Sequence, residues 1–149
     1  MIQRKQTIFL LLALILIILC LCMPIALFVQ QTMGMPTSMY NLWMVDANGA
    51  HSFTPWPLFA ILLFTSPISL AAIFTYKNRK LQARLCVFVV LLLLAWYAAY
   101  AYFVLTANAG AFRPMWAAAC PLVAIILCLM ARHAILADEA LVRAADRIR

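Results

Sequence analysis

Lys77-Asn78-Arg79-Lys80-Leu81-Gln82-Ala83-Arg84 is an island of four positive charges between two runs, residues 56–76 and 85–107, that contain no Asp, Glu, Lys, Arg or His. An apolar run of about 20 residues is the length an α-helix needs to cross a hydrocarbon core of about 30 Å. The island and its flanks therefore predict two membrane-spanning helices joined by a short basic loop, and short basic loops stay on the cytoplasmic side. Working outward, a first apolar run covers residues 7–28 behind Arg4 and Lys5, and a fourth covers residues 115–134.

The first run exceeds the apolar core of a secretory signal, and Pro24-Ile25-Ala26 is a poor cleavage site, so it is expected to stay as an anchor. Ten of the 11 Lys and Arg residues lie in the head, the basic loop and the tail (Arg132, Arg143, Arg147, Arg149), with only Arg113 on the other side. The expectation is an all-α membrane protein. It is a four-transmembrane-helix bundle in one domain, N-in and C-in, with a short β-hairpin in the first outer loop and a cytoplasmic extension of helix 4.

The hairpin is expected in residues 29–55, where Asn48-Gly49 between β-prone stretches favours a type I′ turn because both residues tolerate positive φ. The second outer loop, residues 108–114, reads as a tight connection. The extension, an amphipathic tail helix over residues 135–149, places Leu141, Val142, Ala145 and Ile148 on one face and pairs Glu139 with Arg143 at i,i+4.

Composition agrees: 68% of residues are hydrophobic and 10% charged, far from the soluble average. A formal charge of +7 in a soluble chain would suggest nucleic acid, but here the basic residues flank apolar runs, so no nucleic-acid partner is expected. All five cysteines (Cys20, Cys22, Cys86, Cys120, Cys128) fall inside the predicted spans and read as small buried hydrophobes.

Three stretches together resemble a known family: residues 1–7 (Met-Ile-Gln-Arg-Lys-Gln-Thr), residues 76–85 around the basic island, and the tail from Asp138 to Arg149. The resemblance is to an uncharacterised family of small four-span inner-membrane proteins of Bacteroidota, a domain of unknown function, and it covers essentially the whole chain. It implies residence in a bacterial inner membrane and carries over no catalytic residues.

Chemistry narrows further by elimination. Coupled ion transport normally uses an ionisable group within the membrane, and the runs hold none before Arg132 and His133 at the end of the fourth. A thiol oxidase of four helices would need exposed cysteine pairs outside. Cys20 and Cys22, two apart on a helix, point to nearly opposite sides and are poorly placed to clasp one metal. His51 and His133 fall on opposite membrane faces, which excludes a shared haem. Met33, Met35, Met39 and Met44 with His51 offer soft ligands for Cu(I), although methionine more commonly packs a loop. Asp46, His51 and Ser52 have the residue types of a hydrolytic triad without its signature. No catalytic residue, metal or cofactor is expected.

Two membrane features suggest a ligand. Thr65-Ser66-Pro67 should kink the second span, with hydroxyls re-satisfying the carbonyl that Pro67 frees. Trp96, Tyr100 and Phe103 at i, i+4, i+7 cluster rings in the outer half of the third. With Pro24 and Pro121 bending spans one and four at similar depth, Ser66, Pro67, Trp96, Tyr100 and Phe103 are candidates to line a lipid or quinone pocket. The plainer alternative is an interfacial aromatic belt with ordinary kinks. Lys77, Arg79, Lys80 and Arg84 are candidate contacts for anionic lipid. Trp43 with Leu141, Val142, Arg143 and Ile148 forms the candidate surfaces for a membrane or cytoplasmic protein partner. The functional expectation is thus a non-enzymatic interaction or assembly module of a cell-envelope complex, with a lipid- or quinone-binding protein as the alternative.

Overall fold

The computed structural model describes residues 3–29, 35–46, 48–76, 78–107 and 111–146, and excludes the side chains of residues 3–5, 143, 145 and 146. Four long helices dominate: α1 Gln3–Cys22, α2 Trp56–Phe74, α3 Arg79–Thr106 and α4 Cys120–Asp146, the last preceded by a 3-10 turn at Trp116–Ala119. α2, α3 and the stretch Trp116–Val142 are long and apolar enough to cross a membrane, and Gln6–Cys22 is a shorter apolar helix. Each helix packs against its sequence neighbours, and α1 closes the ring on α4.

One spacing organises all four. The buried positions include Gln6, Leu10, Ala13, Ile17 and Cys20 on α1, Leu58, Leu62, Thr65, Ser69 and Ala72 on α2, and Gln82, Cys86, Val89, Leu93 and Trp96 on α3, with Ala83 beside them. On α4, Ala124, Cys128, Ala131 and Ile135 continue it. Alternating steps of four and three are the seam of helices crossing at a shallow angle. Small side chains fill much of this seam and let backbones approach, whereas the outward surface is large and apolar, with Phe64 66% and Leu105 82% exposed. Such a surface suits lipid better than water. Ala95, Ala98, Ala101 and Ala119 face outward, whereas Ala117 and Ala118 are buried and Ala99 is half-buried.

The non-helical segments form more than the expected hairpin. Strands β1 Ala26–Val29, β2 Thr37–Met39, β3 Met44–Val45, β4 His51–Ser52 and β5 Ala111–Pro114 build one antiparallel sheet in the order β4-β3-β2-β1-β5. The predicted first span therefore ends early, at Cys22, and its last residues become β1. The expected tight connection supplies β5, which pairs Ala26 with Pro114 and Val29 with Ala111. Pro114 is tolerated because β5 is an edge strand. Phe28 and Met39 are buried and tie the sheet into the helical core.

Two local expectations are corrected. The β3–β4 hairpin keeps Asn48-Gly49, but Asp46 N–H donates to the Ala50 carbonyl (3.0 Å) and Gly49 N–H to the Asp46 carbonyl (2.8 Å). That pairing leaves a three-residue connection in which, among the described residues, only Gly49 has positive φ (75°), so the turn is not type I′. Neither Pro24 nor Pro121 kinks a span: Pro24 lies beyond the end of α1, and Pro121 sits in the first turn of α4, where its missing N–H costs nothing.

At Gly49 an added Cβ would meet nothing within 4 Å, so only the backbone conformation opposes substitution. Gly49→Ala should lower stability by about 1 kcal/mol and Gly49→Asn by less, read from thermal unfolding in detergent.

Candidate functional site

Two places combine polar chemistry with the apolar body. The first is the junction between helices and sheet. α1 stops at Cys22 because Pro24 has no N–H, so the Cys20 carbonyl, four residues earlier, loses its normal helical donor. The chain supplies a substitute from the β2–β3 turn. There Tyr40 N–H donates to the Trp43 carbonyl (2.8 Å), and Asn41 at the tip is fully buried among the helices. Its Nδ2 donates to the Cys20 carbonyl (2.6 Å), while its Oδ1 accepts from Trp96 Nε1 (3.0 Å).

Aromatic rings extend this lock. Tyr100 stacks on Trp96 at 5.2 Å and 6°, and its hydroxyl donates to the Ile25 carbonyl (3.1 Å). Tyr97 meets Trp96 edge-on and donates to the Ala118 carbonyl (2.7 Å). Phe112 of β5 bridges Tyr100 to Phe28 of β1 at centroid distances of 6.3 and 5.9 Å. The cluster seats the sheet on α1, α3 and the 3-10 turn. The Tyr97 and Tyr100 hydroxyls donate to backbone carbonyls and the Trp96 indole N–H donates to the Asn41 side chain, so each buried polar tip has a partner.

The candidate pocket residues consequently separate. Trp96 and Tyr100 lie inside the lock, and Phe103 is half-buried beside Tyr102 at 5.6 Å. Ser66 and Pro67 stand about 12 Å along α2 from Phe74, whereas Trp96 stands about 25 Å along α3 from Arg79, so the two sets differ in depth. The hydroxyls near Pro67 do not serve the carbonyl it frees. Thr65 donates to Ile61 (2.6 Å) and Ser66 to Leu62 (3.0 Å), back-bonds of the kind that bend helices slightly.

The second place is the opposite, basic end. Arg79 Nη1 contacts Asp138 Oδ2 at 2.8 Å and donates to the Asp138 carbonyl at 3.2 Å. This two-point clasp fixes the start of α3 to α4, so Arg79, read as a lipid contact, is committed to an intramolecular strut. Lys80 and Arg84 remain exposed and line a groove of about 480 Å³ between α3 and α4. Arg132 completes its cationic wall, and Val87, Phe88 and Leu91 form its apolar floor. A second groove of about 480 Å³, wholly apolar, lies between α2 and α3 and shares Phe88.

Of the candidate partner surface, Leu141 and Val142 are exposed on α4, and Trp43 is half-buried between Tyr40 (5.7 Å) and His51 (6.2 Å). Lys77, Ile148 and the Arg143 side chain lie outside the described residues. Of the methionines offered for Cu(I), Met39 is buried and Met35 is 74% exposed, and Met33 lies outside the description. Sequence reasoning assigned no role to Asn41 or to Asp138. A signal for Asn41 existed in Pro24, which announces an orphan carbonyl.

A family model described as a domain of unknown function, DUF4293, matches residues 2–148. No curated protein matches the chain.

Asn41→Ala would leave the Cys20 carbonyl and Trp96 Nε1–H buried without these partners, at about 1–3 kcal/mol each. Trp96→Phe should cost less through hydrogen bonding, and a double-mutant cycle read by thermal unfolding in detergent should show strong non-additivity between the two.

Proposed function

Because the chain belongs to the DUF4293 family, whose description assigns no activity, we propose from the geometry that it is a non-enzymatic four-span assembly module of a bacterial inner membrane. It engages other components of a cell-envelope complex through its two ends. The observation that carries this reading is the course of α4, which runs unbroken past the Arg79–Asp138 clasp and leaves Leu141 and Val142 62% and 45% exposed. An apolar pair on a helix that continues beyond the packed body is a helix-in-groove type of recognition surface.

Supporting it, the polar tips of Asn41, Trp96, Tyr97 and Tyr100 are engaged in holding the sheet to the helices. That use also leaves less support for a quinone among Trp96 and Tyr100. The charge census favours the basic end as cytoplasmic, which puts the sheet, with Trp43 and the β3–β4 hairpin, on the outer face. α1, 20 residues long and with its end tucked under the sheet, serves as the first span.

In a Cys22→Ser background, Asn48→Cys should react in intact cells with a membrane-impermeant maleimide and Ala140→Cys only after permeabilisation; the reverse pattern would overturn the orientation. For the interaction itself, the chain is isolated in polymer nanodiscs and its companions are counted by mass spectrometry. A stoichiometric protein should accompany the wild type and be lost by at least about tenfold when Leu141 and Val142 are both changed to Glu, as burial of such a pair implies. Truncation after Ala140 retains Asp138 and should do the same without unfolding. Solitary wild-type chain, or an undiminished companion, would refute the module.

A further inference from the structure

The groove at the basic end has a feature that topology alone does not require: its cations sit on two different helices above an apolar floor. α3 and α4 run antiparallel from the Arg79–Asp138 clasp. Arg132 lies six residues from Asp138 and Arg84 five from Arg79, so both guanidinium-bearing positions stand about 8–9 Å up the helices, facing each other across the groove. Lys80 lies one turn nearer the clasp. Glu139, the acidic group of the lining, lies about 10 Å along α4 from Arg132, at the rim. Two arginines at this depth, bordered by Val87 and Leu91, favour an anion that arrives with its own apolar body.

The apolar body has a place to go. Phe88, one turn beyond Arg84, lines both this groove and the apolar groove between α2 and α3. The latter continues along Leu92, Ile61 and Phe64 toward Trp56. From Arg84 to Leu92 the rise is about 12 Å, close to the reach of an acyl chain within one leaflet of a hydrocarbon core about 30 Å thick.

We propose that these grooves form a single site for an anionic diacyl phospholipid, its phosphate held between Arg84 and Arg132 with Lys80 at the mouth, and an acyl chain laid over Phe88 into the α2–α3 groove. The site rests on the membrane-spanning reading and is independent of any protein partner. Arg132 is its distinguishing residue, because a merely basic cytoplasmic loop would use Lys80 and Arg84 without it.

The purified full chain is titrated in detergent with phosphatidylglycerol and, separately, phosphatidylcholine, and bound lipid is counted by native mass spectrometry. Wild type should bind phosphatidylglycerol preferentially with one lipid per chain, and R84Q/R132Q should lose that preference by on the order of tenfold at unchanged melting temperature. R132Q alone should lose part of it, and Phe88→Trp, which narrows the passage between the grooves, should weaken both lipids. Inorganic phosphate and glycerol phosphate at millimolar concentration should not displace the lipid. Displacement by either would convert the site to a soluble-anion site and overturn the proposal, as would unchanged preference in R84Q/R132Q. Retention of the wild-type chain in carbonate-washed membranes separately tests the membrane reading, so a failure of headgroup selectivity is distinguishable from a failure of that premise.

Discussion

One missing hydrogen organises the end of this molecule that carries the sheet. Pro24 cannot donate to the Cys20 carbonyl, and a bare carbonyl in an apolar interior costs more than most single contacts return. The Asn41 amide answers it and spends its remaining acceptor on Trp96, so the tip of a hairpin becomes the keystone between α1 and α3. Tyr100 and Tyr97 then cover the Ile25 and Ala118 carbonyls, so the aromatic cluster is best understood as a set of backbone donors carried on apolar rings.

The interior and exterior have exchanged their usual compositions. Inside, the seam positions hold Ala, Cys, Ser, Thr and Gln alongside Leu, Ile, Val and Trp96; outside stand chiefly Phe, Leu, Ile and further Trp. Cohesion in such a body comes from close backbone approach and dispersion, since lipid tails are as apolar as leucine and supply little driving force for burial. The cysteines fit this account: Cys20, Cys86, Cys120 and Cys128 are buried seam residues, and Cys22 faces out at the end of α1.

The helices were legible because a charge-free run bounded by Lys and Arg leaves little else possible, and the β3–β4 hairpin was legible from Asn48-Gly49. The rest was not, for a common reason: it depends on residues distant in the chain. β1 was hidden inside an apolar run that reads equally well as the last turn and a half of a helix, and its pairing with β2 on one side and with the distant β5 on the other makes it a strand. Asn41 in a turn looks solvent-facing until the orphan carbonyl is located. Arg79 looked like the other charges of its island, and Asp138 singles it out from 59 residues away. Arg132 resembled a helix-end charge until Arg84 stood across from it.

The pairing of β1 with β5 also sets an order of assembly. The chain emerges from the ribosome N-terminus first, so α1 is made early, yet the residues that finish its far end arrive in instalments. Asn41 comes before the second helix exists, Tyr100 only with the third, and β5 just ahead of the fourth. Until then β1 has an open edge and the Ile25 carbonyl lacks the donors it finally receives from Tyr100 and Met115. The first helix to be made is thus the last to be completed, and the half-built chain offers a strand edge that a chaperone or a second nascent copy can occupy in the interval.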